Sequence, residues 1–177
     1  MITYAMNRLR SLIESPAEPS VEPPAEPLLV TPIDPPKWQV ERDVDVLART
    51  IYGEARGELV RGQEAVAAVV INRVRRARAR NGRYWWGSSI EEVCLKSWQF
   101  SCWNSNDPNR QKIETVTADT EIFQTCLRVA RRAVSGTLKD PTSGATHYHV
   151  TGLQPAWSRR RAPSAEIGNH QFYNDVE

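Results

Sequence analysis

The chain has 177 residues, enough for one domain with a real hydrophobic core. It is 40% hydrophobic and 25% charged, the composition of a globular protein, and no run of about 18 apolar residues exists to span a membrane. The net charge of +2 hides a split of −2 for residues 1–40 and +4 for residues 41–177, with basic runs at Arg73–Arg80 and Arg159–Arg161. Such runs suit nucleic acid, an anionic wall polymer or a membrane surface, but no interleaved aromatics or nucleic-acid motif supports the first.

Residues 1–14 form at most a marginal amphipathic helix and lack the basic and apolar regions of an export signal. The next stretch, Ser15 to Lys37, is dominated by proline and glutamate and reads as an extended linker. The expected division is therefore a Pro/Glu-rich segment at 1–37 and a folded domain at 38–177. Asp43 is a plausible N-cap for a helix ending about Gly57. On it, Leu47, Ile51, Glu54 and Glu58 share one face, and Glu54 points within about 20° of Leu47. A carboxylate is thus placed on the stripe that should meet the core. Burial disfavours the charged form, which is the property a general acid needs. A structural ion pair with Arg49 or Arg56 is the plainer alternative.

A second helix is expected over 63–80 with Val66, Val69, Val70 and Val74 inward, stopped by Asn81-Gly82. Ser89-Ile-Glu-Glu92 is a capping box opening a short third helix. Residues 97–108 read as loop. There Trp98-Gln-Phe-Ser-Cys-Trp-Asn104 sets aromatic rings beside amide and hydroxyl groups, as a sugar site requires. Core or loop-anchoring duties are equally open to its aromatics. A helix over about 119–135 should bury Ile122, Phe123, Cys126, Leu127, Ala130 and Val134, with Gly136 as its stop. Thr146–Val150 and His170–Tyr173 alternate and should pair as strands. Three cysteines allow one disulfide at most, and the short Cys94–Cys102 loop makes that pair the first to test against reduced thiols.

His147, His149 and His170 lie within 24 residues of one another. His-x-His on one strand plus a histidine from its neighbour could hold zinc, although no carboxylate or thiol is evidently placed with them. A hydrogen-bonding role is preferred, and neither metal nor cofactor is expected.

Ala48–Glu58, Gly62–Arg73, Gln99-Phe-Ser-Cys-Trp103, Gly144–His149 and Ile167-Gly-Asn-His170-x-Phe172 together resemble the SleB/CwlJ-type cell-wall hydrolase family. The resemblance covers roughly residues 43–176. It implies a mainly α (α+β) domain of lysozyme or lytic-transglycosylase type with a small β-hairpin near the C-terminus. It also implies cleavage of peptidoglycan glycan strands, with Glu54 as the catalytic residue. Gln63, Gln99, Phe100, Ser101, Trp103, Tyr148 and His149 are then expected to bind substrate, with Glu58, Asn72 and His170 as structural support. Neither a peptidoglycan-binding repeat nor an export signal is recognisable, so the chain resembles a phage or prophage lysin. It is expected to be made in the cytoplasm, to be monomeric, and to reach the wall through a holin-opened membrane. A partner carboxylate is the open question: Glu58 is on the same helix as Glu54, and Asp107 is the only acid near the aromatic loop. A single-glutamate transglycosylase is preferred to a hydrolytic muramidase. A zinc amidase or peptidase using His147, His149 and His170, and a non-catalytic wall-binding module, are the rivals from other classes.

Overall fold

A computed structural model describes residues 34–176, so the expectations for residues 1–33 lie outside the described residues. The body is helical: α1 (Lys37–Ala55), α2 (Val60–Ala79), α3 (Ile90–Leu95), a 3-10 turn (Ser101–Trp103), α4 (Arg110–Thr115) and α5 (Glu121–Val134). Three short strands follow, β1 (His147–Val150), β2 (Ala165–Ile167) and β3 (His170–Tyr173), in the antiparallel order β1-β3-β2. The mainly α reading with a small antiparallel sheet holds.

Helix α1 begins six residues before the expected cap Asp43. Pro36 is its N-cap, in extended backbone with no side-chain cap. Proline fixes φ and has no N–H to lose at a helix start, so the Pro35-Pro36 pair can hand the chain directly into a helix. The Asp43 carboxylate instead accepts a bond from Gln39 Nε2 at 3.1 Å, one turn back. Val44, Leu47, Ala48, Ile51 and Ala55 form the buried stripe of α1. Helix α2 is buried nearly all round, with Ala65 to Val70 inward on every side, and it packs on α1, α3, α5 and β2. Its alanines allow that close approach. The Ser89/Glu92 capping box is present at α3 as the sequence requires.

Three elements depart from expectation. Helix α4 lies between the loop at 97–108 and the helix expected from about 119, in residues where no element is expected; its six residues bury Ile113 alone, too little for a periodic signal. Strand β2 was also not foreseen, so β3 lies between two partners, and the hairpin is β2–β3 around Gly168 and Asn169. On α5 the inward residues are Phe123, Cys126, Val129, Ala130 and Ala133, while Ile122 is exposed. All three cysteines are buried free thiols, and the Cys94–Cys102 disulfide is not formed.

The apolar interior falls into two clusters. The larger is shared by α1, α2, α3 and α5. A smaller one joins Ala65 and Val69 of α2 to Ala145, Ile167 and Phe172 beneath the sheet. Tyr148 packs against both.

Candidate active site

Glu54 sits in the last turn of α1, half-buried, on the wall of an open cleft of about 490 Å³. The opposite wall is Val150, Thr151, Asn169 and His170, from the end of β1 and the start of β3. Two groups hold the Glu54 carboxylate: the Tyr148 hydroxyl donates to Oε2 at 2.9 Å, and the Cys102 backbone N–H donates to Oε1 at 3.2 Å. Each oxygen keeps a second lone pair. Burial, reinforced by the Glu54 charge, pushes the Tyr148 phenol well above its usual range, so it remains a proton-bearing donor.

Gly53 makes the second contact possible. A Cβ there would lie 2.5 Å from Cys102 Cβ, so only glycine lets the 3-10 turn lie against α1. The turn is pinned further by Trp103, whose Nε1 donates to Thr50 Oγ1 at 2.9 Å while the Arg110 guanidinium covers its ring at 5.3 Å. Trp103 is therefore a loop anchor.

Arg73 ties the aromatic loop to the sheet. Nearly fully buried, it donates through Nε to the Thr146 carbonyl at 2.8 Å and through Nη1 to Gln99 Oε1 at 2.6 Å. The Trp86 and Phe100 rings flank it at 5.4 and 5.2 Å. Burial lowers its pKa to about 10, which leaves it a cation at neutral pH. Arg73 was not singled out from the sequence, although the signal was there: it continues the Val66, Val69, Val70 stripe of α2, as Glu54 continues that of α1.

Glu58 clasps the β2–β3 turn, accepting from Asn169 Nδ2 at 3.0 Å and Asn169 N at 3.3 Å. A Cβ on Gly168, at φ +58°, would lie 1.8 Å from Glu58 Oε2. His170 Nδ1 lies 3.8 Å from Glu58 Oε1 and the His170 ring meets Tyr148 edge-on at 5.3 Å. Asn72 donates to Asp140 Oδ2 at 2.8 Å and to the Ala145 carbonyl at 3.0 Å, fastening the turn before β1.

The remaining residues expected to touch substrate divide by exposure. Phe100 is 1% exposed and Gln63 is 4% exposed, so neither offers a face to a ligand. Gln63 is spent on the Glu58 carbonyl and the Cys126 thiol. His149 is buried as well, its Nε2 3.0 Å from the Tyr173 hydroxyl and its ring against Trp157. Gln99 is half-buried with its oxygen given to Arg73, and Ser101 is exposed beside Cys102. The zinc arrangement meets a register problem. His147 pairs with Tyr173 and His149 with Gln171, whereas His170 pairs with Val150 and so emerges on the Tyr148 side of the sheet. The three imidazoles do not converge, and among the described residues no group of three His, Cys, Asp or Glu could hold a metal ion.

A mostly helical domain whose first helix ends in a cleft-lining glutamate, faced by a short antiparallel sheet, defines the lysozyme-like class of fold. The chain belongs to the Cell Wall Hydrolase family, whose model matches residues 57–173. That range starts after Glu54, which enters the site on its geometry. A spore cortex-lytic enzyme of Halalkalibacterium halodurans is 32% identical over 137 residues, 76% of this chain and 35% of that protein. Another, from Bacillus subtilis, is 31% identical over 134 residues, 73% of this chain and 37% of that protein. The chain thus spans little more than a third of the length of these relatives. Among solved structures, the catalytic domain of Bacillus cereus SleB superposes with a TM-score of 0.57 at 27% identity, over 75% of this chain and 89% of that one. The catalytic domain of the germination-specific lytic transglycosylase SleB of Bacillus anthracis gives 0.58 at 26%, over 80% and 98%.

Proposed function

We propose that this domain cleaves peptidoglycan glycan strands between N-acetylmuramic acid and N-acetylglucosamine as a lytic transglycosylase, with Glu54 as its single acid and base. The observation that carries the reading is the placement of Glu54: a carboxylate in an open cleft, oriented by Tyr148 and the Cys102 amide. Protonated Glu54 gives its proton to the glycosidic oxygen as the C1–O bond breaks. The resulting carboxylate takes the proton of the muramoyl 6-hydroxyl, whose oxygen bonds to C1 and closes a 1,6-anhydro ring. No water is consumed.

A hydrolase of either stereochemistry needs a second carboxylate, about 5 Å away for retention and further for inversion. Both candidates have other duties. Glu58 holds Asn169, and Asp107 Oδ1 accepts from the Asn109 N–H at 2.7 Å in the turn before α4. This favours the single-glutamate route over a hydrolytic muramidase. The likeness to the Bacillus anthracis SleB domain, a lytic transglycosylase, supports the same assignment.

Glu54→Gln keeps the volume and cannot donate a catalytic proton. Release of soluble fragments from purified peptidoglycan should fall by about 10²–10⁴-fold with the melting temperature nearly unchanged. Mass spectrometry of the wild-type digest should find anhydro-muramic ends. Reducing muramic ends alone would replace the transglycosylase by a hydrolase. Near-wild-type activity of folded Glu54→Gln would remove Glu54 from the reaction. Wall lysis after holin-dependent release belongs to the same reading, and genes for a holin beside this one are its test.

A further inference from the structure

A second and larger cleft, about 970 Å³, opens at the other end of α1. It is bounded by Gln39 and Asp43 of α1, Arg78 of α2, and Ser88 and Glu91 around the start of α3. Its aromatic wall is the Tyr84-Trp85-Trp86 loop, and the loop is built to hold one indole outward. Trp86 is fully buried, its Nε1 donating to the Arg73 carbonyl at 3.0 Å and its ring packed on the Arg73 guanidinium. On the far side, Gly87 has φ +99° and a Cβ there would lie 2.5 Å from Glu92 Cβ. The Glu92 carboxylate accepts from the Ser88 N–H at 2.7 Å and from the Ser89 N–H at 3.2 Å. Trp85, fixed between these two anchors, stays 55% exposed against the cleft. It leans on Trp86, with ring centroids 5.4 Å apart, and the rest of the indole is open to the cleft. An indole face beside carboxylate, guanidinium, amide and hydroxyl groups matches a sugar ring, with its apolar C–H face and its rim of hydroxyls.

The two clefts are joined by one segment of chain. Lys96 and Ser97 line the larger cleft, and five residues later Cys102 donates its N–H to Glu54. Between them Trp98 is 78% exposed and held at φ +67°, a conformation that a bulky side chain rarely adopts. Strain of this kind persists where the surroundings impose it, and it gathers at functional sites. Asp43 and Glu54 are eleven residues apart on one helix, about 16 Å along its axis. An extended glycan of a few sugar units spans such a distance.

We propose that the Trp85 cleft is a distal glycan-binding site, which grips N-acetylhexosamine units remote from the scissile bond and makes the domain selective for long strands. The proposal rests on the glycan substrate assigned above. It is tested on the full chain carrying Glu54→Gln, so that ligands are bound and not cut. N-acetylglucosamine oligomers of two to eight units are titrated by calorimetry. Affinity should rise with length, and adding Trp85→Ala should abolish the rise, weakening the longest oligomer about threefold to tenfold. Trp85→Tyr, which keeps a ring face, should restore most of it. Equal length dependence with and without Trp85→Ala, at equal melting temperature, overturns the proposal, as does affinity that does not grow with length. Peptidoglycan digestion by the wild-type chain separates the two readings. Wild-type cleavage with a silent Trp85 removes only the distal site. Trp85-dependent binding with no fragments released removes only the catalytic assignment.

Discussion

Tyr148 is the residue on which the proposed catalytic arrangement turns. Its ring lies between Phe172, stacked at 5.6 Å, and His170, edge-on at 5.3 Å, and its hydroxyl reaches Glu54. The ring packs the sheet and the hydroxyl alone meets the Glu54 carboxylate, so the two contributions can be separated. Tyr148→Phe retains the packing and removes one hydrogen bond to the acid. A hydrogen bond to a charged group contributes about 1.5–3 kcal/mol, so kcat should fall roughly tenfold or more, with KM little changed. Equal fold and activity in Tyr148→Phe would mean that the Cys102 amide alone orients the carboxylate. In the sequence, Tyr148 is one member of an alternating His-Tyr-His run. Nothing in that run says that the middle residue, and not its neighbours, points toward the helix ninety-four positions earlier. Strand register decides it, and register belongs to the pairing with β3.

At the scale of the elements, the helix–loop contact at Gly53 carries the clearest test. Glycine to alanine inside a helix ordinarily stabilises by about 1 kcal/mol. Here the added methyl would overlap the Cys102 side chain, whose Cβ and Sγ stand 2.5 and 2.6 Å from its position. The 3-10 turn must move away from α1, which costs about 1–3 kcal/mol. It also withdraws the Cys102 N–H from Glu54. Gly53→Ala should lower both the melting temperature and the activity, and Cys102→Gly added to it should recover part of both. A more stable, fully active Gly53→Ala would show that the turn does not position the acid. What the sequence made legible follows the same division. Periodic helices were readable: α2, α5 and the capped start of α3 came from stripes and caps that are local in sequence. The half-buried position of Glu54 was readable because a charge stood on an apolar stripe. The beginning of α1 was misplaced, since an Asp that resembles a cap bonds to a side chain one turn back. Gln63 and Phe100 were expected at the substrate because motif membership does not say which side of a residue is buried. Arg73 was overlooked in a run of arginines of which Arg75, Arg78 and Arg80 are exposed.

Two imidazoles, half-buried His147 and buried His170, give the folded chain a pH signature. Burial, aided by the positive charges of Arg73, Arg76 and Arg161, lowers the His147 pKa to about 4, from an ordinary value near 6.5. His170 is shifted the same way, again chiefly by burial. The unfolded chain therefore takes up protons that the folded chain refuses. Stability from these groups is fully present above about pH 6.5 and is lost as the pH falls from there toward about 4. Melting temperatures should be level above neutrality and decline across that window, and His147→Gln should flatten the decline. An unchanged slope in His147→Gln would place the acid sensitivity elsewhere.

The two separate apolar clusters have a kinetic consequence. The sheet rests on a patch of five buried residues, whereas the helices share an interior several times larger. Local opening is cheapest where few apolar contacts are broken, so the strands should open and reclose while α1 and α2 remain intact. Amide hydrogens of β1 and β3 should then exchange with deuterium faster than those of α2. Each opening carries Tyr148 away from an acid that keeps its place on the helix. On heating, the proposed activity should accordingly fall silent some degrees before the helical circular dichroism disappears, and it should return on cooling from that interval.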